Sequence, residues 1–383
     1  MQYRLTLAAA LAMGIACGNS GSGAMAADGE GGEPSVAAIE AARVSTPQDR
    51  KDVPIAADPG KAELSQAIAA NPKNPARLVA VISRGLWSGP CFAVRSSDGG
   101  RTWSQPVALP PARALSCSGA DVAFAPDGSR VYAAYNYDDA SEAMSILVST
   151  SKDNGANWDD PIVALQGDPN YWYYSMPRLA APLGEQDAAY VYVTARRDAG
   201  EPSGDFVFTR SNDFGTTWST PQRFAGYDED NHVSANVTGG AAGDVLVVWS
   251  NTDDFFTDPE SSNIKVMRSG DYGQTFAAPV IAAKAPFHLI NGVPDIKVGT
   301  KGAAHIVYSR YRNTNYDGSD VQYTWSAGPP YTTGRNRSTP TRASPTAGTL
   351  SQPWPRRNAA GRPFCTWFGP RHAYRQRPSP TAT

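Results

Sequence analysis

Five short stretches hold most of the residues that could do chemistry. They are "YNYDD" (135–139), "NYWYYSMPR" (170–178), "ARRD" (195–198), "YDEDNH" (227–232) and "SRYRNTNYD" (309–317). Each mixes aromatic rings with carboxylates, arginines or both. Tyr171, Trp172, Tyr173 and Tyr174 offer flat apolar faces with polar edges, which suits stacking on sugar rings. The same rings would serve equally well as packing between layers of structure. Nearby arginines carry planar forks that can hold a carboxylate through two parallel hydrogen bonds. No CxxC and no His/Cys cluster occurs, so neither a metal nor a cofactor is expected.

What must position these residues is a repeated turn. "RSSDGGRTWSQPV" (95–107) returns as "TSKDNGANWDDPI" (150–162), "RSNDFGTTWSTPQ" (210–222) and "RSGDYGQTFAAPV" (268–280). The shared pattern is S-x-D-x-G-x-[TN]-[WF]. It comprises Ser96, Asp98, Gly100 and Trp103; Ser151, Asp153, Gly155 and Trp158; Ser211, Asp213, Gly215 and Trp218; and Ser269, Asp271, Gly273 and Phe276. The aspartates are 55, 60 and 58 residues apart, a spacing that marks a repeat architecture. Asp accepts hydrogen bonds from the amides that follow it and closes a tight turn. Gly takes the positive φ that other residues resist. The aromatic plugs the space between neighbouring layers.

Each turn follows a short strand ("FAVRSS", "ILVSTS", "FVFTRS", "IKVMRS"). Two apolar runs precede that strand in every unit, for example "ADVAFAPDG" then "RVYAAYN". Four antiparallel strands per unit predict an all-β fold, a β-propeller of four-stranded antiparallel blades. Five units are readable, six are expected in an intact chain, and the last blade is disrupted. The repeat resembles the Asp-box (bacterial neuraminidase) repeat of the sialidase superfamily over roughly residues 60–326. That resemblance implies the propeller, with the boxes on the face away from the active site. It also implies a glycan-directed site built from an arginine triad, an Asp acid/base, and a Tyr nucleophile helped by Glu. On that basis Arg178, Arg197, Arg310 and Arg312 are candidate carboxylate binders, with Tyr171–Tyr174 beside them. Asp138, Asp198 and Glu229 are the candidate acids. The family's aromatic-Arg-Ile-Pro motif is absent before the first box, where only Arg84 stands nearby, and no nucleophilic Tyr can be assigned.

The formal net charge is −2, but residues 329–383 carry nine Arg, no Lys and no acid. Without them the chain has 25 basic and 36 acidic side chains. So acidic a body excludes nucleic acid as its natural partner. Residues 1–26 read as an export signal, with Arg4 before the apolar run "LTLAAALAMGIA". Two processing sites compete. "AMA" at 24–26 fits cleavage after Ala26. "GIAC" resembles a bacterial lipoprotein site ending at Cys17, the one expected route to a membrane. Residues 27–58 are expected to be a disordered linker, and 59–328 the propeller. Export permits disulfides, and Cys91 and Cys117 flank the first box and could pair.

The fifth unit breaks. Ser326 keeps its place, but Gly328 stands where Asp belongs and Pro330 where Gly belongs. Residues 329–383 then form an irregular Arg/Pro-rich tail. One reading is a basic tail. A second is a change of reading frame. Joining the last base of each codon to the first two of the next lets Phe364–Gly369 encode Leu-Tyr-Val-Val-Trp, close to "VLVVW" at 245–249. The Trp367–Phe368 junction forces Val. In that frame "TGRNRS" can encode Trp-Ser-Glu-Pro-Val, beside "WSQPV" at 103–107. Three functional readings follow. The first is an exported sialidase-like propeller acting on glycans, with glycoside hydrolysis as its reaction. The second is a non-catalytic surface propeller that binds glycan or protein. The third is a truncated product without function.

Overall fold

The computed structural model describes residues 55, 63–84, 89–111, 117, 119–137, 144–168, 170, 172–198, 205–224, 235–251, 262–285, 293–299, 301–311 and 319–329. The expected export signal, most of the linker and the tail from 330 onward lie outside these residues. So do Cys17, Asp138, Tyr171, Glu229, Arg312 and the side chain of Arg310.

Runs rich in Val, Ile, Ala and aromatics, punctuated by Gly and Asp turns, fold into five antiparallel meanders, the blades of a β-propeller. Blade 1 holds β1 (Glu63–Asn71), β2 (Asn74–Arg84), β3 (Cys91–Ser96) and β4 (Val107–Ala108). Blade 2 holds β5 (Ala120–Phe124), β6 (Val131–Tyr137), β7 (Ser145–Ser151) and β8 (Ile162–Leu165). Blade 3 holds β9 (Tyr173–Ala180), β10 (Val191–Asp198), β11 (Asp205–Ser211) and β12 (Gln222–Phe224). Blade 4 holds β13 (Ala235–Gly239), β14 (Val245–Asn251), β15 (Asn263–Ser269) and β16 (Val280–Lys284). Blade 5 holds β17 (Asp295–Val298), β18 (Ala304–Tyr311) and β19 (Ser319–Ser326), three strands among the described residues. Among the described residues one 3-10 turn, Glu185–Asp187, interrupts the strands.

The register repeats from blade to blade. The box serine ending each third strand pairs with Leu78, Val131, Val191 or Val245. Ser326 pairs with Ala304 in the same way, so the fifth unit keeps the register although its box is lost. The inner strands β1, β5, β9, β13 and β17 pack in series. Apolar clusters seal the seams: Val81, Val122 and Tyr135 between blades 1 and 2; Ile146, Val193 and Val207 between blades 2 and 3; Phe206, Val237 and Trp249 between blades 3 and 4; Ile264, Ile296 and Tyr308 between blades 4 and 5.

The boxes share one wiring. The serine hydroxyl donates to the aspartate Oδ1 at 2.7, 2.8, 2.7 and 2.6 Å in turn. The glycine N–H donates to the serine Oγ at 2.9 Å in the first box and 2.8 Å in the rest. The aspartate Oδ1 accepts the amides three and four residues on, as from Gln274 and Thr275, both at 2.9 Å. Its Oδ2 accepts the side chain at that fourth position: Thr102 at 2.6 Å, Asn157 at 2.7 Å, Thr217 at 2.5 Å, Thr275 at 2.6 Å. These bonds favour the carboxylate form. The Thr102 hydroxyl above all holds Asp98 well below the usual range. For Asp153 and Asp271, burial pulls upward, but the hydrogen bonds outweigh it and bring both to about 2.

The box glycine also lies against the preceding blade. Gly273 has φ +78, and a Cβ there would stand 2.5 Å from the Phe208 ring. At Gly155 it would stand 3.0 Å from Val79. Trp158, Trp218 and Phe276 pack into the three seams between blades 1 and 4, the role their position in the repeat implied. A disulfide joins Cys91 of β3 to Cys117, with Cα atoms 5.4 Å apart. It ties blade 1 to the segment entering blade 2. No helix among the described residues is long and apolar enough to cross a membrane.

Candidate functional site

Four of the five stretches rich in aromatic rings, carboxylates and arginines fall wholly or partly among the described residues with side chains, and two of these meet in blade 3. The place of 170–178, just ahead of the apolar run "PRLAAPLG" (177–184), predicts a loop entering the first strand of its blade. Instead Tyr173–Arg178 are part of β9 and pair with the end of β10: Tyr173 with Asp198, Tyr174 with Arg197, Ser175 with Arg196, Arg178 with Thr194. The strand is longer than expected because a bulge absorbs the break. Met176 adopts φ +50, and Pro177 brings no N–H to the ladder.

Alternation along a strand sends adjacent residues to opposite faces. Arg196 and Asp198 share one face. Arg196 Nε donates to Asp198 Oδ1 at 2.7 Å, Nη2 lies 2.5 Å from the same oxygen, and Ser175 Oγ donates to Oδ2 at 3.1 Å. Both side chains are under a tenth exposed. Beside them Thr194 donates to the Ala235 carbonyl of blade 4 at 2.7 Å. Tyr173 sits over this pair and is 41% exposed. Burial, aided by the Asp198 charge, pushes its phenol up.

Arg197 points to the other face, toward blade 2. Its guanidinium lies 4.7 Å from the centre of the Trp172 ring, a cation–π contact. It reaches Asp205 at 3.7 Å, and Asp205 also pairs with Arg223. Trp172 is fixed by backbone bonds with Asp168, at 2.7 and 3.0 Å. Tyr174 is buried in the seam between blades 2 and 3, and burial raises its phenol.

Deeper on the inner strands, one register position is polar in four blades: Asp121, Arg178, Asn236 and Asp295, paired with Ala134, Thr194, Val248 and Val307. Asp121 accepts the Val122 and Leu179 amides, each at 2.8 Å, the second from blade 3. Asn236 accepts the Val237 amide and donates to Asp295 Oδ1, each at 2.8 Å. Burial pushes Asp121 up, with Arg178 and then the Leu179 amide opposing. The Arg178 Nε is buried and makes no hydrogen bond to a described residue.

Of the candidate residues, the structure therefore gathers Arg178, Arg197, Asp198, Trp172, Tyr173 and Tyr174 in blade 3. Arg197 and Asp198 face opposite seams, so the described arginines do not converge on one point. Arg196, Ser175, Asp205 and Asp121 were missed. Arg196 and Asp198 stand two apart on a strand, and that spacing alone could have paired them. Among the described residues no group of His, Cys, Asp or Glu could hold a metal ion.

No protein-family model and no curated protein matches the sequence. Solved structures do. A GH43 endo-arabinanase from Bacillus licheniformis is 12% identical, with a TM-score of 0.42, covering 68% of this chain and 92% of its own. An alpha-L-arabinanase from Penicillium chrysogenum, complexed with arabinobiose, is 14% identical, with a TM-score of 0.48, covering 71% and 80%. The NanB sialidase from Streptococcus pneumoniae is 16% identical, with a TM-score of 0.40, covering 63% of this chain and 34% of its own. These likenesses concern the propeller and assign no residue a role here.

Proposed function

We propose that this chain is an exported, sialidase-like propeller that binds glycans at the end of blade 3. The observation that carries the reading is the exposed Tyr173 ring at the end of blade 3, with the Trp172–Arg197 cation–π pair on the other face of the same strands. Aromatic faces stack on sugar rings, and guanidinium groups add affinity for acidic sugars. Asp198 has both oxygens engaged by Arg196 and Ser175, which favours a scaffolding part for it over acid catalysis. Binding is therefore the first reading. Hydrolysis is the second and rests on the resemblance of the repeats alone. The Cys91–Cys117 disulfide supports export, since such bonds persist in oxidising compartments.

A glycan array probed with the chain and with Tyr173→Ala tests this reading. Retention of sialylated or other acidic glycans, lost in the variant, is expected. Binding that survives Tyr173→Ala unchanged would contradict the site. Turnover of a fluorogenic sialoside would restore the hydrolase reading.

A further inference from the structure

The far face of blade 5 is uncovered at positions that every other blade buries. Five residues before the box serine, the third strands carry Cys91, Ile146, Phe206 and Ile264, each 0–1% exposed and packed toward the next blade. Val321 holds that register position in blade 5 and is 62% exposed. The second strands repeat the contrast. Val79, Tyr132, Tyr192 and Leu246 are 0–1% exposed, while their counterpart His305 is only half-buried, hydrogen-bonded to Tyr323 at 2.7 Å. Among the described residues, the apolar cluster on the far side of blade 1 (Ala80, Ile82, Val94) includes no residue of blade 5. β19 also has no fourth strand beside it among the described residues, where β3, β7, β11 and β15 each have one.

The second reading frame permits the later box positions and the missing strands at the right distances. In the intact boxes the [TN] residue stands six positions after the serine and the aromatic seven. Counting from Ser326, those places fall on the Thr332–Thr333 and Thr333–Gly334 junctions, which permit Asn and Trp. Asn is the residue that bonds the box aspartate at Asn157. Four positions after the aromatic, the fourth strands begin at Val107, Ile162 and Val280. The matching junction, Arg337–Ser338, permits Val. Further on, the residue four places into each new second strand (Tyr135, Ala195, Trp249, Tyr308) follows the preceding box serine by 39, 44, 38 and 39 residues. The Trp permitted at Phe368–Gly369 follows Ser326 by 42.

We infer that the far face of blade 5 is a docking face for a segment that the same gene encodes in its second reading frame. That segment is the second-frame translation from codon 332 onward, which completes blade 5 with a fourth strand and begins a further blade over Val321 and Val307. The frame change lies between Ser326 and Thr332, because Ser326 keeps its place in the first frame and the later box positions are permitted in the second.

Sequencing the gene from codon 320 past codon 383 tests this first. An open second frame through codon 368 is expected, and a stop codon within it would overturn the inference whether or not any protein folds. The frame-restored chain, expressed to its first stop, is then compared with the present chain by hydrogen exchange. Amides of Ser319–Ser326 are expected to exchange at least about tenfold more slowly in the restored chain. Val321→Asp should lower the melting temperature of the restored chain and leave that of the present chain unchanged. Equal exchange at β19 in the two chains would overturn the docking.

Discussion

At the scale of single residues, the boxes were legible because every atom of their wiring belongs to a residue type in the repeat. Their glycines differ in consequence. Gly273 combines φ +78 with a Cβ position 2.5 Å from Phe208, whereas Gly99, at φ +73, has open space around it. Gly273→Ala is expected to cost about 3 kcal/mol, left-handed strain plus overpacking. Gly99→Ala should cost about 1 kcal/mol, strain alone. Chemical denaturation of the two variants checks the difference, and equal losses would contradict the packing argument. The box aspartates also set an acid limit. Asp153 and Asp271 sit at about 2 in the fold, against roughly 3.9 in an unfolded chain. A depressed carboxylate stabilises fully above its unfolded value and loses that stabilisation as pH falls through its folded value. Stability should therefore fall between about pH 4 and pH 2, and Asp271→Asn should remove part of that fall. An unaltered pH profile in the variant would contradict the assignment. The Arg196–Asp198 pair was half seen, since Asp198 was picked as chemistry and its partner was not. Asp198→Ala removes the carboxylate from a buried ion pair with Arg196 and should cost about 3–5 kcal/mol by the same measurement.

At the scale of elements, the second and third strands could be read from apolar runs, because both faces of these strands are buried and the runs are continuous. The start of β9 could not. Its first residues, Tyr173–Arg178, alternate poorly, and the bulge at Met176–Pro177 breaks the period that identifies a strand. That one misplaced boundary turned a rim of paired strand into an imagined loop. It also hid the fact that Arg197 and Asp198 diverge. The Cys91–Cys117 bridge is an element-scale tie, spanning 26 residues and joining two blades. Replacing both cysteines by Ala should cost about 3 kcal/mol from the chain-entropy term. A melt that shifts by less than a degree would show that neighbouring contacts already hold the segment.

At the scale of the whole molecule, the repeat period implied the propeller, and the five sheets follow it in chain order. The polar ring of Asp121, Arg178, Asn236 and Asp295 was invisible in sequence. It is a property of register across blades, and no local pattern distinguishes those four residues from other strand-entry residues. The glycan reading belongs to this scale too, since it depends on strand ends from one blade standing together where the aromatic rim is exposed. Hydrogen exchange of the chain with and without saturating sialyllactose tests it most directly. Slowed exchange is expected at the amides of Trp172–Met176, Arg178 and Arg196–Asp198, with the box turns unchanged. Slowing at the boxes alone, or no slowing anywhere, would contradict it.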